Sequence, residues 1–330
     1  MTTISVKDLK KEYKLKGGKK IKAVDGVSFD IQEQEIFGFL GPNGAGKSTT
    51  MKMLATIEYP TSGQGSINGF NILKNKNDVR KSIGIVFQDS SLDDKLTAEE
   101  NLKFHAKLYG ISSAAYKQRT DEVLNLVDLQ ERRKTIVKNF SGGMKRRLEI
   151  ARGLIHYPKV LFLDEPTIGL DPQTRALLWD YIMKIKKERD MTVFMTTHYM
   201  EEAEYCNNIG IIDHGKMIAY NTPSALKRQV GGDIIKLKSE NLEKLKNEIK
   251  DKFKIEVEQQ KDTLLLTVDK GEEFLPKLLK GLDTHVKSVE FKEPNLDDVF
   301  ISLTGRELRD EEASQHEKMA SGMGPGRRHH

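Results

Sequence analysis

The sequence predicts an α/β chain in which a mainly parallel sheet, covered by helices on both faces, is followed by a smaller α+β domain. Three patterns carry that expectation. Short runs that are apolar on both faces, Glu35–Leu40, Ile83–Phe87, Val160–Leu163, Val193–Met195 and Ile209–Ile212, alternate with longer helical stretches. This is the pattern of buried parallel strands and crossover helices. A glycine-rich segment, residues 41–46, lies between the first run and the first helix. After about Pro223 the order changes to β-α-β-β-α-β, the split βαβ pattern of a ferredoxin-like domain.

In chain order, Val6–Tyr13 and Ala23–Ile31 flank Gly17-Gly18 and read as a two-stranded antiparallel unit with a glycine turn. Strand Glu35–Leu40 then runs into helix Lys47–Ile57, and helices Ala98–Tyr109, Met144–His156, Gln173–Arg189 and Met200–Cys206 separate the later strands. The second domain is expected as strand Asp233–Lys238, helix Leu242–Lys252, strands Ile255–Gln259 and Thr263–Val268, helix Glu272–Gly281 and strand Val286–Lys292. Residues past Thr304 are Glu- and Arg-rich and then glycine-punctuated, the composition of a flexible tail. The expected division is 1–225, with a helical insert over about 89–157, then 226–305, then a tail over 306–330.

Composition narrows the function. The 330 residues exceed one domain of ~150. Basic residues number 54 and acidic ones 49, and eight of the lysines fall within the first 22 residues, where they read as the solvated face of the hairpin. The remainder is close to neutral, so no nucleic-acid partner is expected. The single cysteine, Cys206, excludes a disulfide framework and a multi-cysteine zinc site. His329-His330 are two neighbours in the tail and cannot complete a metal's coordination sphere. No apolar run approaches the ~18 residues of a membrane span, and Met1–Tyr13 lacks the apolar centre of a signal peptide. A soluble, cytosolic chain is expected.

The chemistry is concentrated in two segments. Gly41-Pro42-Asn43-Gly44-Ala45-Gly46-Lys47-Ser48 fits G-x-x-x-x-G-K-[ST] between a strand and a helix. Such a loop wraps a polyphosphate with backbone N–H groups, its Lys reaching the β- and γ-phosphates and its Ser binding Mg²⁺. Val160-Leu161-Phe162-Leu163-Asp164-Glu165 is a buried strand ending in two carboxylates. Asp164 is expected to hold the metal through a water, and Glu165 to orient the attacking water. Together these predict a P-loop NTPase with a nucleotide polyphosphate and Mg²⁺ as its ligands.

Phe140-Ser141-Gly142-Gly143-Met144 opens a further helix 23 residues before Asp164. Ser141 can cap that helix, and the glycines expose N–H groups at its positive end. With this segment the sequence resembles the ATP-binding subunits of ABC transporters over about residues 4–225, whose signature reads Leu-Ser-Gly-Gly-Gln. The resemblance implies ATP-binding positions Tyr13, on which adenine would stack, and Gly41, Pro42, Asn43, Gly44, Ala45, Gly46, Lys47, Ser48 and Thr49. It implies Glu165, Gln88 and His198 as catalytic residues, with Ser48, Gln88 and Asp164 at magnesium. Ser141, Gly142 and Gly143 would act on the nucleotide of a second copy, and Asp171, in Gly169-Leu170-Asp171, on the dimer contact. Two positions depart from the family: Met144 stands where Gln is usual, and Gln34 stands where Gly is usual in a turn. If that turn needs φ > 0, Gln34 is expected to be strained by ~1 kcal/mol.

The segments Gly41–Ser48 and Glu165–Pro172 resemble the ATPases of type-2 ABC exporters, and the stretch Glu293–Arg306 resembles their daunorubicin-resistance ATP-binding group. With one phosphate loop and one signature in the chain, the resemblance to ABC subunits implies a head-to-tail homodimer that ATP closes and hydrolysis reopens. It also implies a separate transmembrane permease and attachment to the cytoplasmic face of the membrane, and the exporter likeness implies efflux of a drug, lipid or polysaccharide. An importer ATPase and a soluble ABC ATPase remain open as alternatives. The segment beginning Ser90–Leu108 is the expected docking surface, and 226–305 is expected to stabilise the dimer or regulate it.

Overall fold

The protein is described by a computed structural model covering residues 1–14, 18, 20–260 and 262–304. Gly17 of the expected turn and the expected tail over 306–330 lie outside the described residues. The chain forms two units, the second beginning at Thr222. In chain order the first contains β1 (Thr2–Lys14), β2 (Lys20–Gln32), β3 (Ile36–Leu40), α1 (Lys47–Leu54), β4 (Ser62–Ile67), β5 (Phe70–Asn71), α2 (Lys76–Ser82), β6 (Ile83–Val86) and α3 (Ala98–Leu108). It continues with α4 (Ser113–Leu126), α5 (Gly142–Leu154), β7 (Val160–Asp164), α6 (Pro172–Arg189), β8 (Thr192–Thr197), α7 (Met200–Ala203), β9 (Asn208–Asp213) and β10 (Lys216–Asn221).

Two sheets form the first unit. The central one has the order β10-β9-β3-β8-β7-β6; β9 through β6 run parallel, and β10 joins β9 antiparallel at one edge. Every residue of β3, β7 and β8 is buried, which is why these strands read as continuous apolar runs. The second sheet, β2-β1-β4-β5, is antiparallel. It packs on the first through aromatic rings: Phe29 of β2 stacks on Phe37 of β3 with centroids 5.1 Å apart, and Phe194 of β8 contacts Phe37 at 5.5 Å and Phe162 of β7 at 5.2 Å. Phe37, Phe162 and Phe194 of this cluster come from β3, β7 and β8, whose pairing sets the spacing of their ends.

Helix α1 stops earlier than its apolar pattern suggests. Thr56 turns left-handed at φ 60, Ile57 N–H reaches Lys52 O at 2.9 Å, and Thr56 N–H reaches Met53 O at 3.1 Å. These are the paired bonds of a Schellman closure. The turn before β3 does require positive φ: Gln34 sits at φ 61. Its N–H donates to Thr192 Oγ1 at 3.0 Å and its side-chain amide to Asp190 at 3.1 Å, contacts that offset the cost of the left-handed backbone.

The second unit contains α8 (Pro223–Val230), β11 (Asp233–Lys238), α9 (Leu242–Phe253), β12 (Val257–Gln260), β13 (Thr263–Val268), α10 (Gly271–Gly281), β14 (Ser288–Lys292) and α11 (Leu296–Thr304). Its sheet is antiparallel with the order β12-β13-β11-β14. This is the split βαβ arrangement, in which β13 lies between β11 and β12. Apolar side chains of β11 and β13, such as Leu237 and Leu264, pack with Leu245 and Ile249 of α9 and Leu278 of α10 into a separate core. The boundary expected at 225/226 falls inside α8, whose capping residue Thr222 and following Pro223 already belong to this unit.

Candidate functional site

The loop Gly41–Gly46 leaves the end of β3 and enters α1 at Lys47. Gly44 and Gly46 take φ 81 and φ 110, left-handed values that favour glycine. At Gly46 a Cβ would lie 2.4 Å from Ala23 O, so no larger residue fits against the hairpin. Lys47, 4% exposed, donates to Gly41 O at 2.6 Å and Pro42 O at 3.1 Å, and pairs with Glu165 Oε1 at 3.3 Å. Its ammonium therefore curls under its own loop, facing the carboxylate at the end of the neighbouring strand.

Asp164 ends β7. Its Oδ1 accepts from Ser48 Oγ at 2.9 Å and from Thr196 Oγ1 at 2.5 Å. Thr196 lies at the same level of adjacent β8, and its hydroxyl and carbonyl also accept from Glu165 N–H, each at 3.1 Å. Glu165 is 6% exposed and left-handed at φ 45, a strained conformation for a side-chain-bearing residue that these bonds enforce. The twist presents its carboxylate between Lys47 and His198, whose Nδ1 lies 3.4 Å from Oε2. Burial by itself would raise the Glu165 pKa. The His198 bond and the Lys47 charge more than compensate, holding the carboxyl below its ordinary range.

Lys47, Asp164 and Glu165, buried, and Ser48 and His198, half-buried, thus form one polar cluster at the ends of β3, β7 and β8. Gln88 is exposed, just beyond β6. Tyr13 is 37% exposed on β1; its hydroxyl donates to Glu58 at 2.5 Å and also interacts with Thr49 in the first turn of α1. Its pKa is raised, by burial first and then by Glu58.

A second group gathers at the start of α5. Ser141 caps the helix by accepting from Met144 N–H at 3.3 Å. A Cβ on Gly143 would stand 2.5 Å from Thr174 Cγ2, and one on Gly142 would stand 3.7 Å from Leu170. The signature glycines therefore lie against the loop of Asp171. Asp171 itself caps α6, accepting from Thr174 N–H at 3.0 Å and Thr174 Oγ1 at 2.6 Å.

The donor set suits magnesium. Among the described residues no group of three or more His, Cys, Asp or Glu is placed to cage a metal ion. One carboxylate hydrogen-bonded to one hydroxyl, Asp164 with Ser48, is the sparse protein contribution that Mg²⁺ takes beside nucleotide phosphates and water.

Sequence reasoning passed over Arg146, Thr196 and Glu202. Arg146, on α5, donates to the carbonyls of Asp164, Glu165 and Pro166. Glu202, 1% exposed, accepts from the hydroxyls of Thr167 and Thr197; burial raises its pKa. Thr196 and Thr197 precede His198 directly, a nearness that offered the one sequence signal for them.

Residues 24–168 match the family described as ABC transporter, and residues 222–304 match the C-terminal domain of DrrA1-3-like ATP-binding proteins. The linearmycin resistance ATP-binding protein LnrL of Bacillus subtilis is 40% identical, across 93% of this chain and 100% of its own length. The chain belongs to the ATP-binding subunits of ABC transporters. It is an ABC ATPase with a DrrA-like C-terminal domain. The daunorubicin/doxorubicin resistance ATP-binding protein DrrA of Streptomyces peucetius is 35% identical, with 91% of this chain and 94% of that one covered. A Nod factor export ATP-binding protein I of Burkholderia pseudomallei is 39% identical, covering 87% and 93%. Among solved structures, a dimeric post-hydrolysis state of the ATP-binding cassette MJ0796 bound to ADP and Pi aligns with a TM-score of 0.60 at 28% identity, covering 66% of this chain and 98% of that one.

Proposed function

We propose that this chain is the ATP-hydrolysing subunit of a membrane exporter, working as a head-to-tail homodimer that ATP closes and hydrolysis reopens. The observation that carries the reading is the polar cluster in which Glu165, held left-handed, faces Lys47 and His198. Lys47 is placed to leave its own loop carbonyls for the β- and γ-phosphates, which frees Glu165 from the ion pair. The loop N–H groups from Gly41 to Ser48 cradle the phosphates, Thr49 stands beside them, and Tyr13 receives the adenine. Ser48, Gln88 and, through a water, Asp164 would hold magnesium, which would supply positive charge against the phosphates. Glu165, released from Lys47 and still beside His198, orients the attacking water and takes its proton; His198 positions the γ-phosphate.

Ser141, Gly142 and Gly143 serve the nucleotide of the second copy, with Asp171 at the contact between copies. Support for a dimer comes from the related cassette solved in that form, and support for export from relatives named for resistance and export. No helix of the described residues is long and apolar enough to cross a membrane, so transport needs a separate permease, which would hold the chain at the cytoplasmic face. A groove of about 800 Å³ beside α3, bordered by Ile57, Phe87, Ser91 and Leu108, is the docking surface we assign to it. The unit beginning at Thr222 stabilises or regulates the dimer.

Glu165→Gln tests the reading. The variant is expected to bind ATP, to persist as an ATP-dependent dimer in size-exclusion chromatography, and to retain a multi-span membrane protein from detergent-solubilised native membranes. Hydrolysis at the wild-type rate in this variant would remove Glu165 from its role. Retention of soluble partners in place of a membrane protein would remove the exporter.

A further inference from the structure

Helix α5 has a buried face made of Arg146, Glu149 and Arg152. Arg146 uses its whole guanidinium. Nε donates to Pro166 O at 2.6 Å; Nη2 donates to Asp164 O at 3.0 Å and to Glu165 O at 3.1 Å; Nη1 donates to Phe87 O at 2.5 Å and to Glu149 Oε2 at 3.0 Å. Three consecutive carbonyls of the strand end that carries both acids rest on one planar fork, whose rigid donor geometry restrains them as a set. Farther along the same face, Glu149 Oε1 accepts from Ser91 N–H at 3.0 Å, and Arg152 donates to Ser91 O at 2.7 Å and Ser91 Oγ at 2.5 Å. The segment from Phe87 to Ser91 contains Gln88 and edges the groove beside α3. It is therefore tied at both ends to the helix that begins with the signature glycines.

Such a ladder is a costly way to fill space. A buried guanidinium loses its hydration, and apolar residues of similar volume would stabilise the fold at least as well if packing were the need. What apolar residues cannot do is hold backbone carbonyls of two separate segments in fixed relation.

We infer that the Arg146–Glu149–Arg152 ladder is a positioning device for hydrolysis: it sets the Asp164–Pro166 strand end, and with it Glu165, according to the position of the Phe87–Ser91 segment. A permease seated in the groove, or a nucleotide engaged by the signature glycines, then acts on Glu165 through α5. Arg146 is the central positioning residue because it touches both segments.

The inference rests on the hydrolytic role proposed for Glu165, and the test separates the two. Steady-state ATP hydrolysis and hydrogen–deuterium exchange are measured on the full chain with MgATP, for the wild type, Arg146→Met, Glu149→Gln and Glu165→Gln. Arg146→Met is expected to lower kcat by ~10–100-fold, the effect of removing a charged hydrogen-bond set from the strand end. Its KM and the ATP-dependent protection of 41–48 stay within ~3-fold of wild type, while protection of 87–91 is lost. Glu149→Gln leaves one acceptor oxygen for two donors, Ser91 N–H and Arg146 Nη1, so it loosens the ladder while Nε and Nη2 of Arg146 stay on the carbonyls; it should lower kcat by ~3–10-fold with the same split. That variant carries the test if Arg146→Met fails to fold. A kcat within ~2-fold of wild type overturns the inference, as does a loss in which kcat, ATP affinity and protection of 41–48 fall together. An active Glu165→Gln overturns the role of Glu165, and this inference with it, whatever the arginine variants do.

Discussion

Lowering the pH should weaken the first unit through His156, and the size of the effect follows from its surroundings. The imidazole stacks on Tyr109 with centroids 3.8 Å apart and an interplanar angle of 10°, and its Nε2 lies 2.9 Å from Ile83 O. Burial is the largest influence and, with the nearby Arg119 charge, it outweighs the carbonyl bond, pulling the pKa from 6.5 down to about 4. The folded state therefore favours the neutral ring more than the unfolded state does. The stabilisation is fully present above the unfolded value of 6.5 and is lost as the pH falls toward about 4. By linkage the loss is ~2 kcal/mol between pH 7 and pH 5.

His156→Gln keeps a donor for Ile83 O and removes the titration, so its unfolding free energy should fall by ~2 kcal/mol less than that of the wild type over this interval. His105 is also pulled down to about 4, by burial first and then by the charges of Arg152 and His156, so both proteins carry His105→Gln and the comparison isolates His156. Urea unfolding followed by Trp179 fluorescence is the assay, because the chain has a single tryptophan, buried in α6 of the first unit. Parallel pH dependences for the two proteins would refute the argument. So would an imidazole resonance, identified by its absence in His156→Gln, that titrates near 6.5.

Other substitutions test the core and the support of the site. Phe194→Ala removes a ring that contacts Phe29, Phe37, Phe39 and Phe162 and should cost ~3–5 kcal/mol, read from the same Trp179 unfolding curve. Glu202→Gln leaves the hydroxyls of Thr167 and Thr197 competing for one acceptor where they now have two. We expect it to lower the unfolding free energy by ~1–3 kcal/mol and to lower ATP turnover, since those threonines flank Glu165 and His198; a wild-type rate in a folded Glu202→Gln would show that Glu202 serves the fold alone.

The fold was legible where one physical cause dominated a segment. Full burial of β3, β7 and β8 left apolar runs, and the second unit showed its four strands and two of its four helices, α9 and α10, in order because they present apolar faces to a compact core; α8 and α11 were not expected. Strand β4 escaped because Ser62-Gly63-Gln64-Gly65 lacks the side chains that mark a strand; Gly63 is required at φ 90, where a Cβ would strike Asp8 O at 2.1 Å. Strand β10 is an edge with alternating exposure, and α4 buries few of its residues, among them Val123 and Leu124, so neither announced itself. The turn at Gln34 was legible as a place of strain, and φ 61 shows it.

The candidate site divides in the same way. A phosphate loop needs glycines at fixed spacing because one short stretch of backbone must wrap the ligand, and such a constraint is written in consecutive residues. The same holds for a strand that ends in two carboxylates. Arg146 obeys a different logic. Its partners are mostly carbonyl oxygens, at residue 87 and at residues 164–166, and a carbonyl is the same group whatever side chain it belongs to. No spacing or residue choice in either segment records that an arginine must reach them; only the folded path of the chain brings them to one side of α5. Residues that bind substrate can therefore be found from local sequence, whereas a residue that transmits the position of one backbone segment to another becomes visible when both segments are placed in space.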